Sequence, residues 1–240
     1  MVNSRICILE NDDLEGPMAE RYGRIAHMFE QLFRAAGFTG QFDVFNTQRG
    51  EYPAHFDGYA ATLLTGSRAD AFSDEDWIVQ LRARVSQLLE DGHRLLGVCF
   101  GHQLIAHCLG APVGRAEQGW GLGRQTYQWR GPEISGQGGQ LALLASHQDQ
   151  VKALPEGATL LASNAHCPVA AFALGQQVFC VQPHPEFTPE LSAFLLAKRR
   201  HLFGESVYHE RMASLVHGHE GLDMARFMLD FAMGRAAVSA

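Results

Sequence analysis

The run Leu95-Leu96-Gly97-Val98-Cys99-Phe100-Gly101 constrains this chain more than any other segment, because it carries an apolar strand into a helix within a single turn. A turn that sharp brings the residues two before and two after the central position close together. Glycine relieves the clash, and both positions here are glycine. Cys99 then stands at a helix N-terminus, where unbonded N–H groups and the helix dipole favour negative charge. The amide of Phe100 is left free to point at a developing oxyanion.

The surrounding pattern says what such a turn is built into. Ile6-Cys7-Ile8-Leu9 reads as a buried strand. Residues 18–36 carry Ile25, Met28, Phe29, Leu32 and Phe33 at helical spacing, with Gly37 as the stop. Residues 42–45 and 59–64 are strand candidates, the second ending at Thr65-Gly66-Ser67. Trp77, Ile78, Leu81, Val85, Leu88 and Leu89 mark a helix closed near Gly92, and another helix spans about 101–109. Strands alternating with helices predict a mostly parallel sheet covered on both faces, a three-layer α/β/α architecture. Beyond residue 110 the character changes. Short strand-like runs at 120–129, 140–145, 159–163, 169–174 and 177–181 predict a small antiparallel extension of that sheet. The glycine-rich stretch 131–140 reads as a hairpin loop, and no phosphate-binding G-x-x-x-x-G-K-[ST] occurs. Residues 189–200 form an amphipathic helix pattern, and Met224, Phe227, Met228 and Phe231 repeat it in the tail. We expect one domain over 1–240, with a core at about 5–200 and a helical C-terminal extension at 201–240.

Composition narrows the partners. The 19 Lys and Arg against 26 Asp and Glu leave a formal charge of −7, and no basic run occurs, which argues against nucleic acid. No apolar stretch approaches the roughly 18 residues of a membrane span. The first residues run straight into a strand pattern without a signal-peptide layout, so a cytoplasmic location is expected. Five cysteines, none at C-x-x-C spacing, are an odd set for a disulfide framework. Cys7, Cys108, Cys167 and Cys180 read as small core residues. The tail histidines His201, His209, His217 and His219 fit no ligand spacing. Neither metal nor cofactor is expected.

A thiol nucleophile needs a base, and the base needs a group that fixes its tautomer. Gln182-Pro183-His184-Pro185-Glu186 supplies both. Proline after His184 favours extended backbone, and alternation in an extended segment puts His184 and Glu186 on the same side. The expected catalytic set is Cys99, His184 and Glu186.

Gly97-Val98-Cys99-Phe100-Gly101-His102-Gln103 and Gln182-Pro183-His184-Pro185-Glu186 together resemble the two signature segments of class I glutamine amidotransferases. Leu64-Thr65-Gly66-Ser67 occupies the place of that family's oxyanion loop. Ser146-His147-Gln148-Asp149 and Cys167-Pro168-Val169-Ala170-Ala171-Phe172 are similar to segments of the glutaminase part of GMP synthetases. The resemblance spans about residues 5–200. It implies a flavodoxin-like amidotransferase fold in which Cys99 attacks the γ-carboxamide of glutamine, releasing ammonia and then glutamate. His184 would be the base and Glu186 its orienting carboxylate. It also implies an oxyanion hole from Phe100 and the Gly66–Ser67 region. Gln103, Ser146, His147, Gln148 and Asp149 would hold the substrate. Two departures stand out. Gly66-Ser67-Arg68 replaces the Gly-Gly-Pro of GMP synthetases, and residues 65–72 followed by Asp76-Trp77 look closer to stand-alone members, including plant γ-glutamyl peptidases.

No synthetase segment accompanies these motifs. The segments at 146–149 and 167–172 make a glutaminase, passing ammonia to a separate synthetase subunit, the leading expectation. The alternatives are a γ-glutamyl peptidase or hydrolase acting on γ-glutamyl conjugates, and a catalytically silent interaction module. The first two share all their chemistry and differ in the room around the leaving group.

Overall fold

A computed structural model describes residues 4–134, 138–236 and 238. The chain runs β1 (Arg5–Glu10), α1 (Pro17–Tyr22), α2 (Ile25–Ala35), β2 (Gln41–Asn46), β3 (Ala61–Leu64), α3 (Asp76–Glu90), β4 (Leu95–Val98) and α4 (Phe100–Cys108). It continues through β5 (Val113–Arg115), β6 (Gly121–Trp129), β7 (Gln140–His147), β8 (Asp149–Val151), β9 (Thr159–Ser163), β10 (Ala171–Leu174) and β11 (Val178–Val181). It closes with α5 (Pro189–Ser214) and α6 (Gly221–Ala232).

The main sheet has nine strands in the order β2-β1-β3-β4-β11-β10-β9-β6-β7. The first five neighbours pair in parallel, and the pairs from β11 through β7 are antiparallel. The expected parallel core with an antiparallel extension is therefore what forms. A separate two-stranded pairing of β5 with β8 was not legible, because each strand is only three residues long.

Burial on both faces fits the apolar runs of β3 and β4, in which every residue is buried and Thr62 alone is polar. On one face Phe29 and Phe33 of α2 pack with Met224, Met228 and Phe231 of α6. On the other, Ile78, Leu81 and Val85 of α3 meet Leu104 and Ile105 of α4.

Two boundaries differ from the sequence expectation. The helix expected over 18–36 is two helices, broken at Gly23 (φ 72) and at Arg24, which is extended. The buried Glu10 carboxylate accepts from Ala26 N–H (3.0 Å) and from Arg24 (2.8 Å), so it satisfies the new N-terminus. The helix starting at Pro189 continues to Ser214 across a kink at Gly204 (φ 80, ψ 171). Of the 131–140 hairpin loop, residues 135–137 lie outside the described residues, as do residues 1–3 of the N-terminal stretch.

The strand-to-helix turn is tight enough to exclude any side chain at its flanks. A Cβ on Gly97 would lie 2.8 Å from the Gly101 carbonyl carbon, and one on Gly101 would lie 2.3 Å from the Leu64 carbonyl oxygen. Both obstacles are backbone and cannot swing away. Gly101→Ala should therefore lower unfolding stability by about 1–3 kcal/mol or more, as overpacking of a filled interior does. Urea denaturation checks this; an unchanged midpoint would show that β3 and α4 can move apart without cost.

Candidate active site

Three neighbouring strand ends converge. β4 lies between β3 and β11, with Val98 level with Val181 and Gly97 level with Leu64. Side chains just past those ends must meet, and in an open α/β sheet the carboxyl ends of the strands are where ligands bind.

Cys99 is the only non-glycine residue with positive φ among the described residues (φ 52, ψ −103). That conformation disfavours an L side chain and persists where its surroundings over-determine it. Here its N–H donates to Val181 O (3.0 Å) and its carbonyl accepts from Gln103 N–H (3.0 Å), the first bond of α4. His184 follows β11, and its N–H donates to Leu144 O (2.8 Å) on β7. The ring Nδ1 lies 2.7 Å from Glu186 Oε1, as the His-x-Glu alternation anticipated. The Phe187 ring stacks on the imidazole at 3.8 Å between centroids and 12° between planes. Gly66, after β3, comes so near that a Cβ there would lie 3.0 Å from His184 Cε1 and 3.7 Å from Cys99 Cβ.

Burial alone would lower the His184 pKa. The Glu186 carboxylate, the Cys99 charge and hydrogen bonds to both outweigh it and raise the imidazole to about 10. With Nδ1 bound to Glu186, Nε2 is the nitrogen left for chemistry. Burial raises the thiols of Cys7 and Cys167 to about 12, and raises those of Cys108 and Cys180 as well.

Arg68, which departs from the Gly-Gly-Pro pattern, clamps the loop after β3. Its backbone N–H, Nε and Nη2 all reach the Asp12 carboxylate at 2.8–2.9 Å, and the side chain also touches Glu15. Asn11 adds a second tie, donating from its backbone N–H to Thr65 Oγ1 and from its side chain to Thr65 O, both at 3.0 Å. The segment after β1 thereby holds Gly66 and Ser67 in place.

Cys99, His184, Glu186, Gly66, Ser67 and Ser146 line one cavity of about 120 Å³, walled by Leu14, Met18, Phe187, Leu191, Phe194 and Leu195. The remaining expected substrate residues sit behind it. Gln103 Nε2 donates to Asp149 O (2.8 Å) and to Gln182 Oε1 (3.1 Å). His147 Nδ1 is 3.0 Å from Asp149 O, the Asp149 carboxylate is held by Arg115 at 2.7 Å, and Gln148 O accepts from Ala116 N–H (2.8 Å). Helix α4 is thus tied to the 147–149 segment through polar groups that do not line the cavity. Sequence reasoning missed Phe187 and Arg199 at this site; a stacking aromatic and a helix-borne arginine carry no spacing signal of their own. A larger cleft of about 820 Å³ opens near the amino ends of β3 and β4, around His55, Arg84 and His93, and contains none of these residues. Among the described residues no group of three His, Cys, Asp or Glu side chains is arranged to hold a metal ion.

Residues 46–199 match the family model for glutamine amidotransferase class-I. The chain belongs to the class I glutamine amidotransferase family. γ-Glutamyl peptidase 3 of Arabidopsis thaliana is 37% identical over 180 residues, 71% of this chain and 72% of that protein. The glutamine-hydrolyzing GMP synthase of Caldicellulosiruptor saccharolyticus is 32% identical over 126 residues, 52% of this chain and 24% of the synthase. A glutamine amidotransferase from Thermotoga maritima shares the fold at a TM-score of 0.72 and 20% identity, covering 95% of this chain and 97% of that one. The parallel core with its antiparallel extension is the amidotransferase fold. No helix among the described residues is long and apolar enough to cross a membrane.

Two histidines behind the site give this amidotransferase-family chain a pH signature. Burial lowers His102 and His147 to about 3, with the neighbouring His166 adding to the effect at His147. Their folded pKa lies below the unfolded value near 6.5, so the unfolded state takes protons that the native state refuses. Their contribution is complete above pH 6.5 and is lost as pH falls towards 3, by up to about 1.4 kcal/mol per pH unit for each ring. His102→Gln should flatten the slope of unfolding free energy between pH 6 and 4 by about one proton. Denaturant titrations across that range giving the wild-type slope would show that His102 is protonated in the native state.

Proposed function

We propose that the protein hydrolyses γ-glutamyl amide bonds through a thioester on Cys99, and that its leaving group is larger than ammonia. The observation carrying this reading is that Cys99, His184 and Glu186 line a cavity together with apolar side chains of α1, α5 and the loops before them. Such a wall suits an organic amine or peptide better than free ammonia. The γ-glutamyl peptidase relative, matched over most of its length, supports the same reading.

His184 Nε2 takes the Cys99 thiol proton as Sγ attacks the γ-carbonyl carbon; a C–S bond forms and the carbonyl π pair moves to oxygen. The oxyanion accepts hydrogen bonds from Phe100 N–H and from an N–H of the Gly66–Ser67 loop. Among the described residues the N–H groups of Gly66, Ser67 and Phe100 donate to no backbone acceptor. His184 Nε2 delivers its proton to the departing nitrogen as the C–N bond breaks. Water then attacks the thioester as His184 takes its proton, and the C–S bond breaks to release the glutamate part and the Cys99 thiolate, which takes the proton back from His184. Glu186 keeps the ring oriented and stabilises the imidazolium. The glutaminase reading, with ammonia passed to a separate synthetase, rests on similarity to the GMP synthase segment.

The deciding measurement is kcat/KM of the purified chain for glutamine against γ-glutamyl peptides. We expect the peptides to be faster by more than tenfold, a difference of about 1.4 kcal/mol in transition-state binding. Faster cleavage of glutamine would restore the glutaminase reading. Cys99→Ala and His184→Ala should each abolish turnover, and Glu186→Gln should cost less, since an amide can still orient the ring. A folded Glu186→Gln variant as inactive as Cys99→Ala would remove the orienting role.

A further inference from the structure

Strands β5 and β8 pair antiparallel in a register that puts Arg115 opposite Asp149. From there the Arg115 guanidinium forks. Its Nη1 donates to Asp149 Oδ2 at 2.7 Å, and its Nη2 donates to Asp70 Oδ2 at 3.0 Å. The two carboxylates belong to different parts of the molecule. Asp70 lies three residues beyond Ser67, on the loop after β3. Asp149 begins β8, and its backbone carbonyl accepts from Gln103 Nε2 of α4 at 2.8 Å. Neither Arg115 nor Asp70 lines the catalytic cavity, and the mechanism above uses neither of them.

Each end of this bridge leads to one half of the oxyanion hole. Phe100 opens α4, whose Gln103 rests on Asp149, while Gly66 and Ser67 lead the loop that carries Asp70. Arg68 ties that loop to Asp12 on the β1 side, so Arg115 supplies the tie on the α4 side. A planar guanidinium suits the task, because separate N–H groups can hold two carboxylates at once. The Asp149 side chain is 7% exposed, and its Oδ1 is buried without a donor among the described residues. Burial raises the Asp149 carboxyl to about 6; Arg115 draws it down, and the neighbouring Asp70 raises it again. Two carboxylates this close repel, so without the cation the loop and the 147–149 segment are pushed apart. Half of the Arg115 side chain is exposed, and such pairs add little stability. What this one fixes is a distance.

We propose that Arg115 is a positioning residue that sets the spacing between the two halves of the oxyanion hole, by bridging Asp70 on the Gly66–Ser67 loop to Asp149 behind α4. This rests on the γ-glutamyl hydrolysis reading above. Donors stabilise a developing oxyanion only where they reach the same oxygen. Displacing the loop therefore weakens the transition state and leaves ground-state binding and the thiol itself nearly unchanged.

The test compares acyl transfer with alkylation at the same sulfur, in the full chain. Acyl transfer to Cys99 develops an oxyanion, whereas displacement of iodide from iodoacetamide does not. Wild type, Arg115→Gln, Asp70→Ala and the double variant are assayed with L-glutamine and γ-glutamylglycine, and Cys99 labelling by iodoacetamide is followed by mass spectrometry. Arg115→Gln should lower kcat about 10- to 100-fold, with KM changing less than about threefold. The Cys99 labelling rate should stay within about threefold of wild type. Asp70→Ala leaves the Arg115–Asp149 contact in place and should reproduce the loss of kcat. The double variant should be no slower than the slower single one, because both changes cut one bridge. Arg115→Lys keeps the charge but reaches one carboxylate at a time, so it should recover only part of kcat. If Arg115→Gln fails to fold, Asp70→Ala carries the test.

Wild-type kcat in Asp70→Ala overturns the proposal, since the bridge then has no bearing on the loop. A rise in KM at unchanged kcat overturns it by assigning Arg115 to substrate binding. Labelling of Cys99 slowed in parallel with kcat overturns it as well, by placing the fault at the thiol. A wild-type chain that cleaves neither compound overturns the γ-glutamyl reading and the role of the bridge with it, before any variant is compared.

Discussion

The approach of Gly101 to the Leu64 carbonyl, with Gly97 against Gly101, sets the spacing of every other part of the site. Because no Cβ separates them, the first turn of α4 sits directly on the end of β3. Cys99 is then forced through a positive φ that an ordinary turn would avoid. The strain is held by neighbours on both sides: β11 takes the Cys99 N–H and α4 takes its carbonyl. Parallel pairing places the ends of β3, β4 and β11 side by side, so the loop, the thiol and the imidazole meet without any long connection.

Charge is distributed around that point with a clear division. Arg68 pairs with both Asp12 and Glu15 and ties two loops together. Half of the Arg68 side chain is exposed, and ion pairs in such settings contribute little stability. Their value here is geometric: they hold the segment that carries Gly66 and Ser67, where the family pattern of GMP synthetases has Gly-Gly-Pro. The His184–Glu186 pair is buried, and burial is what makes the carboxylate effective in raising the imidazole. Behind the cavity, His102 and His147 are kept neutral, and amide and carbonyl contacts through Gln103 and Gln182 join α4 to the 147–149 segment and the end of β11. Helix α4 is therefore braced by neutral side chains and carbonyls, and the Asp149–Arg115 ion pair anchors the segment it is tied to.

Much of this was legible in the residue string. The glycines two before and two after Cys99, the strand leading into it, and His184 separated from Glu186 by one proline report local geometry, and local geometry is what spacing encodes. Strand–helix alternation likewise reports a parallel sheet, since parallel strands need a crossover. The break at Gly23 was hidden by apolar residues that keep helical spacing on both sides of it; it is capped by Glu10, a residue on another element. The β5–β8 pair is too short to carry a period.

The sequence alone determined the fold class and pointed to Cys99, His184 and Glu186, because strand–helix alternation, the glycines flanking Cys99 and the His-x-Glu spacing are all local patterns. Only the tertiary structure decided which side chains share the cavity. Ser146 faces it while Gln103, His147 and Asp149 bind one another behind it, and Phe187 and Arg199 enter from elements that no motif marks. Those outcomes depend on the order of strands in the sheet and on where α5 crosses it. Both are long-range packing results, and one-dimensional spacing does not record them.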